Sequence, residues 1–176
     1  MLTYAGNLDN LSNIEPQIFL CVGNINNKNL VKTLLEDHNI DTIVNFAAET
    51  HVDRSILYPQ KFLQTNIYGT YTLLSEALKH KVERFHQVST DEVFGSLTDH
   101  EEPITEDSPY QPNSPYAATK AAADHLVRCF GHTYGLPYTI SHGSNTFGPY
   151  QFPEKLIPMT VHCFMNKIPV PIHWRS

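Results

Sequence analysis

Short apolar runs alternate along this sequence with longer stretches of helical period, and that alternation restricts the fold more than any other feature. The runs are Gln17 to Val22, Thr42 to Ala47, Phe85 to Ser89 and Tyr138 to His142. Apolar runs of this length between amphipathic segments are the pattern of βα units, so an α/β fold with a parallel sheet is expected. Asn29 to Asn39 puts Leu30, Leu34 and Leu35 on one helical face. Pro59 to His80 reads as a longer helix with Phe62, Ile67, Leu73, Leu74, Ala77 and Leu78 inward. Ser114 to Tyr134 is a third, with Pro115 suited to a first turn, and Leu156 to Phe164 a fourth. Between Gly95 and Asn113, three prolines accompany Asp99, Glu101, Glu102, Glu106 and Asp107. That stretch reads as a solvated loop that could equally cover a site.

At 176 residues one domain, 1–176, is the default, with no internal repeat or second domain visible. A hydrophobic fraction of 41% against 17% charged residues excludes a disordered chain. The net charge of -6, without a clustered basic surface, argues against nucleic-acid binding. No apolar run is long enough for a bilayer, and the first ten residues lack the pattern of a signal peptide. A cytoplasmic location without membrane association is therefore expected. Cys21, Cys129 and Cys163 are too scattered for a disulfide framework and read as buried small hydrophobes. His51 and Asp53 look like metal ligands but have no third partner at metal spacing, so no metal is expected.

Two constellations could carry chemistry. Tyr116 and Lys120 lie four apart on a predicted helix, so both emerge on one face. A cation about 4 Å from the phenol, at an effective dielectric of roughly 20, would favour the phenolate by about three pKa units. Such a tyrosine could accept a proton from a sugar hydroxyl; a solvated Tyr/Lys pair explains the spacing equally. Ser89, Thr90, Asp91 and Glu92 follow an apolar run, hence stand at the carboxyl end of a strand, where ligands bind in open α/β sheets. Adjacent carboxylates there could be held in different protonation states and give one acid and one base. They could equally be the charges of a helix N-terminus. Asn45 to Thr50 ends another strand, and its small Ala47 and Ala48 would let a flat ligand approach the backbone or serve plain packing.

With these residues in place, the chain resembles the extended short-chain dehydrogenase/reductases and, within them, the nucleotide-sugar 4,6-dehydratases. The matching stretches are 2–8, 47–55, 65–70, Ser-Thr-Asp-Glu-Val-Phe-Gly at 89–95, Ser-Pro-Tyr-Ala-Ala-Thr-Lys-Ala at 114–121 and 147–158. Tyr-x-x-x-Lys marks the superfamily; Thr-Asp-Glu and Pro-Glu-Lys-Leu-Ile-Pro mark the 4,6-dehydratases. The resemblance implies NAD as cofactor and a sugar nucleotide, dTDP-glucose, as substrate. It implies Tyr116 as base on the C4 hydroxyl, with Thr90 bonding that oxygen, Lys120 on the nicotinamide ribose, Glu92 taking the C5 proton and Asp91 protonating the leaving C6 hydroxyl. It further assigns Leu2, Thr3, Asn24, Ile25, Phe46, Ala47, Ala48 and Thr65 to the cofactor. Thr50, Asn145, Lys155 and Leu156, with Pro171 to His173, fall to the sugar nucleotide. Thr146 stands where the family usually has an Asn touching the cofactor. A homodimer through the long helices is also implied.

By the same resemblance Met1 aligns just after the acidic residue that ends the second strand, and none of the eight glycines forms a Gly-x-Gly-x-x-Gly turn. The fold expected is thus an incomplete Rossmann-like, doubly wound parallel sheet without its first two strands, glycine-rich turn and carboxyl-terminal substrate domain. A gap of about 14 Å instead of ~4.8 Å would then separate the run at 17–22 from that at 42–47. The first must rearrange, pair elsewhere or stay loose, and little activity is expected of the chain alone. The rival readings are a sugar-nucleotide epimerase or decarboxylase, against which the Asp91-Glu92 couplet speaks, and a non-catalytic remnant or interaction module.

Overall fold

In the computed structural model, residues 2–98, 100 and 102–171 are described. Three strands form one parallel sheet in the order β1-β2-β3: β1 Thr42–Asn45, β2 Arg84–Thr90 and β3 Tyr138–Gly143. The register sets Thr42 opposite Arg84 and Ser89 opposite His142. The helices are α1 Lys28–Asp37, α2 Val52–Leu57, α3 Pro59–Phe62, α4 Thr70–Lys79, α5 Pro115–Tyr134 and α6 Leu156–Asn166. The expected parallel α/β architecture is present, with strand and helix positions close to those read from the sequence.

The chain divides into two compact units, Gly23–Ser144 and Leu2–Val22 with the chain from Asn145 onward. In the first, α1, α4 and α5 share one core with β2. Val31, Leu35, Leu73, Leu74, Ala77, Phe85, Val127 and Phe130 form it. Burying Phe85 and Leu74 completely contributes about 1.5–3 kcal/mol each. Alternation on β2 turns Phe85, Gln87 and Ser89 into this layer, while His86 faces away and bonds the hydroxyls of Thr139 and Ser141 on β3. Glu76 on α4 is also buried. Burial pushes its carboxyl up, but the bond from Lys79 at 2.7 Å and the charges of Lys79, Lys28 and His80 outweigh it and hold the pKa below the usual value.

In the second unit Tyr4 links the two chain segments. Its hydroxyl donates to Glu154 at 2.7 Å and its ring meets Phe152 edge-on at 5.5 Å. A 370 Å³ cavity is lined by Phe147, Tyr150, Gln151, Ile157, Val161 and Met165, among others.

Several expectations are corrected. Gln17 to Val22 is no strand: a 3-10 turn, Glu15–Gln17, ends there, and the residues to Val22 make no strand pairing, with Phe19 and Val22 exposed. The long helix at 59–80 is interrupted by a π-helical segment, Leu63–Gly69, and is preceded by α2, which the periodicity did not suggest. Cys163 is buried as expected, but Cys21 and Cys129 are exposed. Asp99 and Glu101 of the acidic loop lie outside the described residues.

Candidate functional site

The site grows from two neighbouring element ends. Thr90 closes β2 and caps a 3-10 turn, Asp91–Phe94, its Oγ1 accepting from the Glu92 N–H at 3.3 Å. The two carboxylates therefore head a 3-10 turn at the carboxyl end of β2. Gly95 ends the turn at φ 90°, and a Cβ there would sit 2.5 Å from the Gln111 carbonyl oxygen. Gln111 in turn donates its N–H to Val93 O at 2.9 Å, tying the turn to the following loop.

Ser114 caps α5 by accepting from Ala117 N at 3.0 Å, and Pro115 occupies the first turn as expected. The helical repeat then puts Tyr116, Lys120 and Asp124 on one buried stripe facing β2. The Tyr116 phenol stands near the Thr90 side chain, which acts to lower its pKa. Lys120 Nζ donates to Val88 O at 2.7 Å, and Asp124 Oδ2 accepts from Ser89 Oγ at 2.6 Å. Two successive turns of α5 thus bond to adjacent residues of β2.

The electrostatics differ from the sequence expectation. Burial pushes Tyr116 up to about 12; the Thr90 side chain works against this, and the charges of Glu92, Asp91 and Asp124 add to it. Lys120 therefore does not produce the lowered phenol the spacing suggested, because burial and the nearby carboxylate charges both disfavour the phenolate. Burial also pulls Lys120 below its ordinary value, with Asp124 acting in the opposite sense.

The end of β1 is fixed by amides. Asn45 donates to Gln87 Oε1 at 3.0 Å and to Thr70 Oγ1 at 3.2 Å, and accepts from Ala47 N at 3.1 Å. Asn66, in the π segment, accepts from Glu49 N at 2.8 Å and donates to Glu49 O and Thr119 Oγ1, each at 3.0 Å. This shapes the stretch holding Phe46, Ala47, Ala48 and Thr50, of which Phe46 is 74% exposed. Thr65 lies half-buried in the π segment; Asn24 is exposed and accepts from Asn26 N at 2.9 Å. Ile25 packs against the core and lies close to Gly69.

Thr90, Asp91, Glu92, Tyr116 and Lys120 are thus brought together. Leu2, Thr3, Asn145, Lys155 and Leu156 belong to the other unit, where Lys155 precedes the first turn of α6 and Leu156 is 75% exposed. Thr146 accepts there from Gln151 through its carbonyl, and Pro171 is exposed; Ile172 and His173 lie outside the described residues. Sequence reasoning missed Asn66, Tyr110, Asp124 and His142. For Asp124 a signal existed, since it continues the Tyr116, Lys120 stripe by one more helical turn.

Comparison with known proteins gives this arrangement a context. The family model for GDP-mannose 4,6 dehydratase matches residues 1–169. The dTDP-glucose 4,6-dehydratase of Xanthomonas campestris pv. campestris (strain B100) is 49% identical, over 98% of this chain and 52% of its own length. DesIV, a dTDP-glucose 4,6-dehydratase from Streptomyces venezuelae solved with NAD and TYD bound, superposes with a TM-score of 0.90 at 46% identity. That superposition covers 94% of this chain and 51% of DesIV. The UDP-glucose 4-epimerase of Thermus thermophilus in complex with NAD is more distant, with 27% identity and a TM-score of 0.77 over 84% of this chain and 49% of its own. The chain spans about half the length of the curated relatives it matches.

Proposed function

This chain belongs to the GDP-mannose 4,6-dehydratase family, and from that premise we propose that it carries the proton-handling residues of a dehydratase acting on dTDP-glucose with NAD. One observation supports the reading above the others: a buried tyrosine near the threonine that leads directly into two carboxylates, with a buried lysine one turn further along the same helix.

The donor set fits the nicotinamide ribose. An ammonium has three hydrogens and Lys120 gives one to Val88 O, so two are left for a vicinal diol. NAD, when bound, supplies hydride acceptance at sugar C4 and hydride return at C6. The rest falls to side chains. Tyr116 takes the proton of the C4 hydroxyl while Thr90 holds that oxygen. The C4 ketone acidifies the C5 hydrogen, Glu92 removes it, and Asp91 protonates the C6 hydroxyl so that it departs as water. An Asp91-Glu92 couplet has use in elimination and none in epimerisation, which favours this reading over the epimerase. With Tyr116 held at about 12, the residue is a phenol at neutral pH and needs added positive charge to act as a base.

Two measurements test the proposal. Incubation of the protein with NAD and dTDP-glucose, followed by mass spectrometry, reads turnover as loss of one water, and whatever rate the chain has should fall by about 100-fold or more in Tyr116→Phe. Offering the 4-keto-6-deoxy product in deuterated water isolates Glu92, because exchange at C5 needs no hydride transfer. Exchange no faster than the protein-free control would rule out the role of Glu92. A homodimer through the long helices is a further part of the proposal, supported by the exposed rings of Tyr68, Tyr71 and Tyr134. No helix among the described residues is long and apolar enough to cross a membrane; a cytoplasmic location is proposed from the free thiols at Cys21 and Cys129.

A further inference from the structure

Asp124 has no task in the chemistry above, yet its side chain is 0% exposed and closely surrounded. Oδ2 accepts from Ser89 Oγ on β2 at 2.6 Å and from the Tyr110 hydroxyl at 3.2 Å, and lies 3.4 Å from His142 Nε2 on β3. Tyr110 is itself held by His142 Nε2 at 2.8 Å and by Arg128 Nη2 at 3.3 Å, with the ring of His125 5.2 Å away. Oδ1 has no hydrogen-bond partner among the described residues. Removing a carboxylate from water costs several kcal/mol unless charge and hydrogen bonds compensate it. Burial pushes the Asp124 carboxyl above the usual carboxylate range, against the Ser89 bond, the charges of Lys120 and His142 and the Tyr110 bond.

The buried cation on the same stripe is Lys120, one turn earlier, a spacing that sets Cβ atoms about 5–6 Å apart. Lys120 is seated on Val88 O and Asp124 on Ser89 Oγ, so consecutive residues of β2 anchor the two side chains. We propose that Asp124 is a positioning residue: as the buried counter-ion of Lys120 it keeps the ammonium charged and seated against the end of β2. The inference rests on the proposed function only for what Lys120 does with substrate and cofactor; the pairing rests on the shared buried helix face and the adjacent anchors on β2. Asp124 raises the Lys120 pKa against the pull of burial, which agrees with this role.

The groups that face the pair are Ser89 from β2, His142 from β3 and Tyr110 from the loop before α5, while Asp91 and Glu92 face Tyr116. The direct test is the ζ-15N titration of Lys120 in the whole chain and in Asp124→Asn. The Lys120 pKa is expected to fall by about one unit or more in the variant, as for loss of an opposite charge within ~4–6 Å. An unchanged Lys120 pKa overturns the proposal. Should Asp124→Asn fail to fold, the unsubstituted protein decides. The Lys120 signal must inflect at the pH where the Asp124 carboxyl carbon titrates, and a flat Lys120 trace there overturns the pairing. With dTDP-glucose and NAD present, Asp124→Asn should move the basic limb of the rate profile to lower pH. A limb that stays put while Lys120 shifts refutes the positioning role. Absence of any turnover in the unsubstituted protein, with the Lys120 shift present, counts against the proposed function and leaves the counter-ion standing.

Discussion

Asn66 spends its whole side chain on the backbone of Glu49 and the hydroxyl of Thr119, so it fixes the stretch after β1 to α5 without touching the reacting groups. Asn66→Ala strips partners from buried polar groups, and the expected cost is about 2–4 kcal/mol of stability. Urea denaturation should show a lower midpoint at unchanged slope. The two perturbed tyrosines give a pH signature of the opposite kind. Tyr116 and Tyr110 are both pushed up to about 12, chiefly by burial, whereas in the unfolded chain each ionises near 10. The unfolded state therefore releases its protons first as pH rises, and the stability these groups contribute, complete below pH 10, drains away as pH climbs toward about 12. Thermal melts should fall steeply across that window, and Tyr110→Phe should flatten the fall. A melting temperature level from pH 10 to 12 would contradict the burial of both phenols.

At the scale of elements, the turn Asp91–Phe94 and its closing Gly95 decide where the carboxylates stand. Gly95→Ala meets a positive φ and a carbonyl oxygen at 2.5 Å, neither of which a flexible side chain could relieve. A loss of about 1–3 kcal/mol is expected, with a larger fall in dehydration than in nucleotide binding, because the turn carries the acid and the base. Equal losses in both would place the damage elsewhere. The sequence announced β2, α5 and this turn through alternation, a Ser-Pro start and a strand followed by charge. It could not announce the π segment at Leu63–Gly69, whose cause is tertiary: Asn66 turns inward to bond Glu49 and Thr119, and Gly69 lets Ile25 approach. Gln17 to Val22 looked like a strand because Ile18, Phe19, Leu20 and Val22 are apolar. Apolar character alone makes no strand where no ladder partner is present. The proposed catalytic quintet was legible because it sits on two local motifs; Tyr110 and His142 were not, since each gains meaning only where a loop and β3 meet Asp124.

For the whole molecule the open question is how it avoids sticking to itself. β1 is an edge strand of its sheet, with Val44 49% and Phe46 74% exposed, so an apolar row stands beside unpaired backbone groups. Such an edge invites pairing with a second chain unless charge blunts it. A net charge of -6 repels like copies at long range, but salt screens that repulsion beyond a distance of about 8–10 Å while leaving strand pairing and apolar burial intact. Association through β1 should therefore grow with ionic strength and continue past two chains, whereas the proposed pairing through the long helices would be closed by two-fold symmetry and saturate at two chains. Sedimentation at rising protein and salt concentration separates the two. Species larger than a dimer are expected at high salt, and Val44→Lys should remove them while leaving the dimer, since an edge lysine buried against a neighbouring chain would carry an unpaired charge. Large species that persist unchanged in Val44→Lys would show that β1 is not the adhesive edge.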